Sequence, residues 1–155
     1  MNKNSNLGIF LISFLLICFL ILFFINLFFF QRKGETIFKN AEISGFDFQI
    51  EIAQTIQERF NGLSEREEIQ ENQGMLFIFK KSGYYSFCMR KMKFDLDIIW
   101  FDENFKVVEI TDNVSHNSFP KIFKSLNPIK YVLEVKAGWG ERHQIKEGDH
   151  LIIKS

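Results

Sequence analysis

The 155-residue chain has no excess of either charge: 19 Lys and Arg face 19 Asp and Glu, and the sequence pI is about 6.8. No basic field points to nucleic acid, which is not an expected partner. Cysteine is nearly absent, with Cys18 and Cys88 alone, so the chain is not a disulfide-stapled scaffold. The two prolines and nine glycines form no low-complexity tract. No glycine-rich turn leads from a strand into a helix, so a nucleotide phosphate has no cradle. His116, His143 and His150 lack the short spacings of familiar zinc sites and have no cysteine beside them, so neither a metal nor a cofactor is expected. What remains is a globular composition, 46% apolar and 25% charged.

Acidic residues are also missing from the first 33 positions, whose only charged side chains are Lys3, Arg32 and Lys33. Within that stretch, 20 of the 24 residues from Leu7 to Phe30 are Leu, Ile or Phe. As a helix such a run would be roughly 36 Å long, more than the roughly 30 Å hydrocarbon core. Its apolar side chains occupy every face, and a small domain has no room to cover them all. A single transmembrane helix is therefore expected over residues 7–30, after a tail at 1–6 and before a linker at 31–36, with the lipid bilayer as its partner. The apolar stretch is too long for a cleaved signal peptide and no small-residue cleavage site follows it, so the segment reads as an uncleaved signal anchor. Flanking charges nearly tie and lean slightly toward a cytoplasmic soluble domain.

From residue 37 onward the pattern changes to period two. Phe46, Phe48, Ile50 and Ile52 alternate with Asp47, Gln49, Glu51 and Ala53, the signature of a strand with one buried face. Further strands are expected at Ile37 to Ile43, Met75 to Lys80, Tyr84 to Arg90, Leu96 to Asp102, Lys106 to Thr111, Tyr131 to Lys136 and His150 to Lys154. Turn signals separate them, as at Lys81-Ser82-Gly83 and Glu147-Gly148-Asp149. Thr55-Ile56-Gln57-Glu58 is a capping box that opens a brief helix, and Gly62 is placed to end it. A second short helix is expected near Glu141 to Ile145, and Asn113 to Asn127 reads as a loop with at most a turn of helix. The soluble domain, residues 37–155, is thus expected to be mainly β, a small sandwich or barrel-like fold with one or two short helices.

Seven short motifs occur in order: Arg59-Phe60-Asn61-Gly62-Leu63, GMLFIF at 74–79, FCMRK at 87–91, LDIIWFD at 96–102, VVEI at 107–110, LEVKAG at 133–138 and IKEGDHL at 145–151. In this series the chain resembles the domain-of-unknown-function 192 family, also called uncharacterised protein family 0127, over about residues 37–154. The resemblance implies a small all-β domain, often exported or membrane-tethered in prokaryotes, and no established activity. It places the soluble domain outside the cytoplasmic membrane, against the slight charge bias. Five positions depart from the usual family pattern: Ser64 for a methionine, Cys88 for a tryptophan, Lys91 and Met92 for Asn-Thr, and Asp95 for a proline. If they line a shared groove, the groove of this member has changed.

The candidate ligand-binding residues are Cys88, Arg90, Asp97 and Glu134, all within family motifs on expected strands. Arg90, Asp97 and Glu134 together would make a polar cluster able to orient a small ligand or peptide. The plainer reading is an ion pair that locks strand register. Cys88, between Phe87 and Met89, reads first as a small buried apolar residue. The expected function is a membrane-anchored, extracytoplasmic β domain that binds a small ligand or an envelope protein. The alternatives are a hydrolase or thiol enzyme using Asp97, Glu134, His116 or Cys88, for which no nucleophile, base and orienting group can be read from spacing, and a structural or assembly role in the envelope.

Overall fold

The computed structural model describes residues 14–25 and 38–154, in two units that divide after Thr36. In the first unit residues 14–25 form a helix, α1, whose large apolar side chains stand between 45% and 68% exposed. The rest of the expected span, residues 7–13 and 26–30, lies outside the described residues. No helix among the described residues is long and apolar enough to cross a membrane.

In the second unit the elements follow the order β1 (Phe38–Ile43), β2 (Phe46–Ala53), α2 (Ile56–Asn61), β3 (Gln73–Gly83), β4 (Leu96–Phe101), β5 (Val107–Val114), β6 (Ile129–Lys136), α3 (Trp139–Arg142) and β7 (Leu151–Ile153). They build one seven-stranded sheet in the order β5-β4-β6-β3-β2-β1-β7. Every pair is antiparallel except β2 with β3, because the chain returns between these two through the crossover that carries α2. The sheet curls until its two edges meet. Lys106 pairs with His150 across the gap, the Val107 amide donates to the Asp149 carbonyl at 2.8 Å, and the Leu151 amide donates to the Phe105 carbonyl at 2.9 Å. The fold is therefore mainly β and barrel-like, a single curled sheet without a second layer of strands.

Curling gives the sheet two buried faces. The inner one takes a residue from each strand, among them Ala41, Phe48, Leu76, Ile99, Val107, Leu133 and Leu151. On the outer face Met75, Phe77, Ile98, Trp100 and Val132 are covered by Leu63 and Ile69 of the crossover and by Met89 of the segment between β3 and β4. Strand β4 is consequently buried at every position. Its alternation then sorts side chains between two interiors, with Ile99 and Phe101 inward and Leu96, Ile98 and Trp100 outward.

Two local expectations change. Tyr84 to Arg90 is not a strand of the sheet: its single bridge joins Phe87 to Phe123. Instead Phe87 covers the outer face edge-on, its ring centroid 5.0 Å from that of Phe77 and 5.5 Å from that of Trp100. The segment's alternation covers a sheet rather than extending one. The second helix starts at Trp139 rather than Glu141, because Gly138 adopts a left-handed φ of 76° at its N-cap.

Candidate functional site

The outer face is not fully sealed. Between the crossover and the segment 86–92 lies a cleft of about 360 Å³, floored by Phe77 and Phe79 of β3 and Glu134 of β6. The crossover wall is set by α2, whose start is fixed locally. The Glu58 amide donates to Thr55 Oγ1 at 3.1 Å, and the Thr55 amide donates back to Glu58 Oε2 at 2.8 Å. Amide donors from Thr55 and Gln54 hold the Glu58 carboxyl below its ordinary value. Gly62 ends the helix with φ 50°. So short a helix buries none of its own residues, and Ile56 and Phe60, one turn apart, stand 81% and 65% exposed on the rim.

The opposite lip is tied to this one. Ser64 Oγ donates to the Arg90 carbonyl at 3.0 Å, the Glu65 amide donates to the Lys91 carbonyl at 2.9 Å, and Lys91 Nζ lies 2.5 Å from Glu65 Oε1. Glu65 and Lys91 reach this arrangement in left-handed conformations, φ 65° and 58°. Four of the five positions that depart from the family pattern are thus at the cleft: Ser64, Cys88 and Met92 line it and Lys91 braces it. The fifth, Asp95, lies elsewhere and accepts from the His116 backbone amide at 2.7 Å.

Two guanidinium groups line the same cleft. Arg59 Nη1 donates to the carbonyls of Gln54 and, at 3.0 Å, Ile78, and the group lies 5.1 Å over the Phe79 ring. Arg90 lies 4.5 Å over the Phe60 ring, with one long contact of 3.4 Å to the Phe60 carbonyl. Among the described residues neither forms an ion pair. On the floor Glu134 is only 7% exposed, and its carboxyl makes no hydrogen bond or ion pair with any described residue. Its cross-strand neighbours are Met75 on β3 and Ile98 on β4. Burial among these groups pushes its carboxyl up to about 8.

The four candidate residues therefore divide. Cys88, Arg90 and Glu134 line one cleft, whereas Asp97 faces the other way with Ile99 and Phe101. Asp97 is fully buried and its carboxylate is spent on the backbone. Oδ1 accepts from the amides of Asn113 at 2.9 Å and Gly138 at 3.0 Å, and Oδ2 accepts from Gly140 at 2.9 Å. It anchors the start of α3 and the end of β5 through amides, with no cation involved. His116 pairs with Asp95, Nδ1 to Oδ1 at 2.6 Å, and no histidine lines the cleft. Sequence reasoning passed over Arg59, Phe60 and Phe79 as site residues. The available signal was the spacing of Ile56 and Phe60, an apolar pair on a helix too short to bury it. Among the described residues no three His, Cys, Asp or Glu side chains gather as metal ligands.

The family model described as "Uncharacterized ACR", DUF192, matches residues 38–153. No curated protein matches the chain significantly. Two crystal structures are similar. A proposed transcription regulator from Sinorhizobium meliloti 1021 is 27% identical, with a TM-score of 0.72 over 78% of this chain and 97% of that one. A protein of unknown function from Novosphingobium aromaticivorans DSM 12444 is also 27% identical, with a TM-score of 0.71 over 78% of this chain and 89% of that one.

Proposed function

From the premise that this chain belongs to the DUF192 family, we propose that it is a membrane-tethered binding module whose β domain holds a small ligand in the cleft over β3 and β6. The observation that carries this reading is Glu134. A buried carboxyl without a partner is costly in a finished core, and here it is on the floor of an open cleft, where a ligand can supply the missing hydrogen bond. The volume, about 360 Å³, suits a small molecule. Exposed Ile56 and Phe60 at the rim add apolar surface that a ligand would cover.

The tether is the apolar run of residues 7–30. Its support is the sequence, 20 of 24 residues being Leu, Ile or Phe, together with the uncovered apolar faces of α1. The β domain is assigned to the outer side of the cytoplasmic membrane on the family resemblance. Protease added to intact spheroplasts should remove residues 38–155; protection until lysis would reverse the orientation.

For the cleft, saturation-transfer NMR of the full chain in detergent micelles against a mixed set of small apolar acids, amides and amines should yield binders. Their signal should vanish in an Ile56→Ala/Phe60→Ala double variant. Binders unaffected by that change, or none at all, would remove the cleft as a site. No observation favours the hydrolase or thiol enzyme, because Cys88 has no histidine base among the residues that line its cleft.

A further inference from the structure

The chemistry of the walls narrows the ligand. We propose that the cleft receives a small apolar monocarboxylic acid, its carboxylate taken by the carboxyl of Glu134 and the guanidinium groups of Arg59 and Arg90, its apolar body by the rings of Phe60, Phe77 and Phe79. This rests on the binding reading above and names its ligand class.

Three observations converge. Arg59 and Arg90 line the cleft without a direct ion pair among the described residues, Glu58 and Glu65 acting on them only at longer range, and guanidinium groups favour planar carboxylates. Glu134 lacks any partner and sits among apolar groups, which keeps its proton on up to about pH 8. A neutral carboxyl donates an O–H, and its strongest acceptor is a carboxylate. The aromatic floor and rim then reward an apolar body attached to that carboxylate.

Other classes fit less well. An amine would meet two cations and no ionised acid. A neutral amide would accept from Glu134 but leave both guanidinium groups as they were. A phosphate dianion would bring more charge and more acceptor sites than one carboxyl and two partly engaged arginines can satisfy. In the proposed complex no covalent bond changes. Glu134 keeps its proton and shares it with the ligand as a hydrogen bond.

The pairing has a pH signature. Below about pH 8 the Glu134 carboxyl is neutral and attracts a carboxylate; above it, two negative charges would share one pocket, and affinity falls by about tenfold per pH unit. Calorimetric titration of the full chain in nonionic detergent with phenylacetate, phenylacetamide and phenethylamine tests this directly. At pH 6.5 phenylacetate should bind at least tenfold more tightly than the other two, and it should lose at least tenfold by pH 9.5. Glu134→Gln should bind phenylacetate at pH 6.5 and lose the alkaline fall, since its amide still donates. Arg90→Gln should abolish the preference for the acid over the amide.

Binding of the amide or amine at least as tight as the acid, or an acid affinity that does not change with pH in the unaltered protein, overturns the assignment and leaves the cleft a binding site. Failure of all three probes to bind overturns both readings. An acetylated dipeptide ending in phenylalanine separates the sources of the carboxylate: tighter binding than phenylacetate would hand the site to peptide C-termini and remove the small acid.

Discussion

A carboxyl group on a middle strand, with Met75 and Ile98 as its cross-strand neighbours, must either find a partner or keep its proton. Glu134 keeps its proton, and that choice is a statement about stability. Its ordinary value of 4.5 is raised to about 8 by burial, so the unfolded chain loses this proton between those two pH values while the folded one retains it. The folded state then binds more protons, and stability falls as pH rises through that window. The whole effect is at most about 5 kcal/mol at 1.36 kcal/mol per unit, present below the lower value and exhausted above the upper one. Chemical denaturation of the unaltered protein and of Glu134→Gln, each from pH 4 to 9, should give a stability difference that shifts by several kcal/mol in favour of the variant as pH rises. A constant difference would place the proton elsewhere. Asp97 shows the opposite solution for a buried acid. Three amides donate to it, and Asp97→Asn would keep one accepting oxygen while turning an NH₂ group toward the Gly140 amide. A loss of about 2–3 kcal/mol in urea denaturation is expected, and a loss under about 1 kcal/mol would contradict the anchoring role.

At the scale of elements, how much was readable followed from where the controlling forces lie. The alternation placed β2 because Phe48 and Ile50 are buried while Gln49 and Glu51 between and after them are only half-buried. The capping box placed α2 because all its hydrogen bonds are local. Replacing Thr55 by Ala removes the acceptor for the Glu58 amide and should cost about 1 kcal/mol. It should also loosen the rim formed by Ile56 and Phe60, which a rise in amide exchange over residues 56–61 would report; unchanged exchange there would detach the rim from its cap. Tyr84 to Arg90 misled because a segment packing over a sheet shows the same alternation as one hydrogen-bonded within it, and only the distant partner Phe123 distinguishes them. The site was half legible for the same reason. Cys88, Arg90 and Glu134 come together from β6 and a covering segment, whereas Asp97, in a family motif of its own, lies on the face of β4 opposite Ile98. Parity along β4 was readable, but which face of β4 meets which face of β6 depends on the register that pairs Ile98 with Glu134.

The whole molecule divides into two units. In the β domain every strand finds its partners among the described residues, and the sheet closes on itself through Lys106 and His150, so its stability depends on that closure. Leu151, on the shortest strand, contributes to the inner cluster as well as to the closing contacts. Leu151→Ala should therefore cost about 2–5 kcal/mol, at or above the upper end if the seam opens, which denaturation midpoints will measure. The proposed tether needs a different account: in a spanning helix its twenty Leu, Ile and Phe residues, at about −0.3 to −0.6 kcal/mol each near the helix centre, would favour lipid over water. After alkaline carbonate washing the full chain should remain with membranes. A variant lacking residues 7–30 should move to the supernatant with its thermal midpoint unchanged, because the seven described strands of the sheet all lie between Phe38 and Ile153. A full chain that washes free, or a shortened one that stays in the pellet, would assign membrane association to the β domain or abolish it.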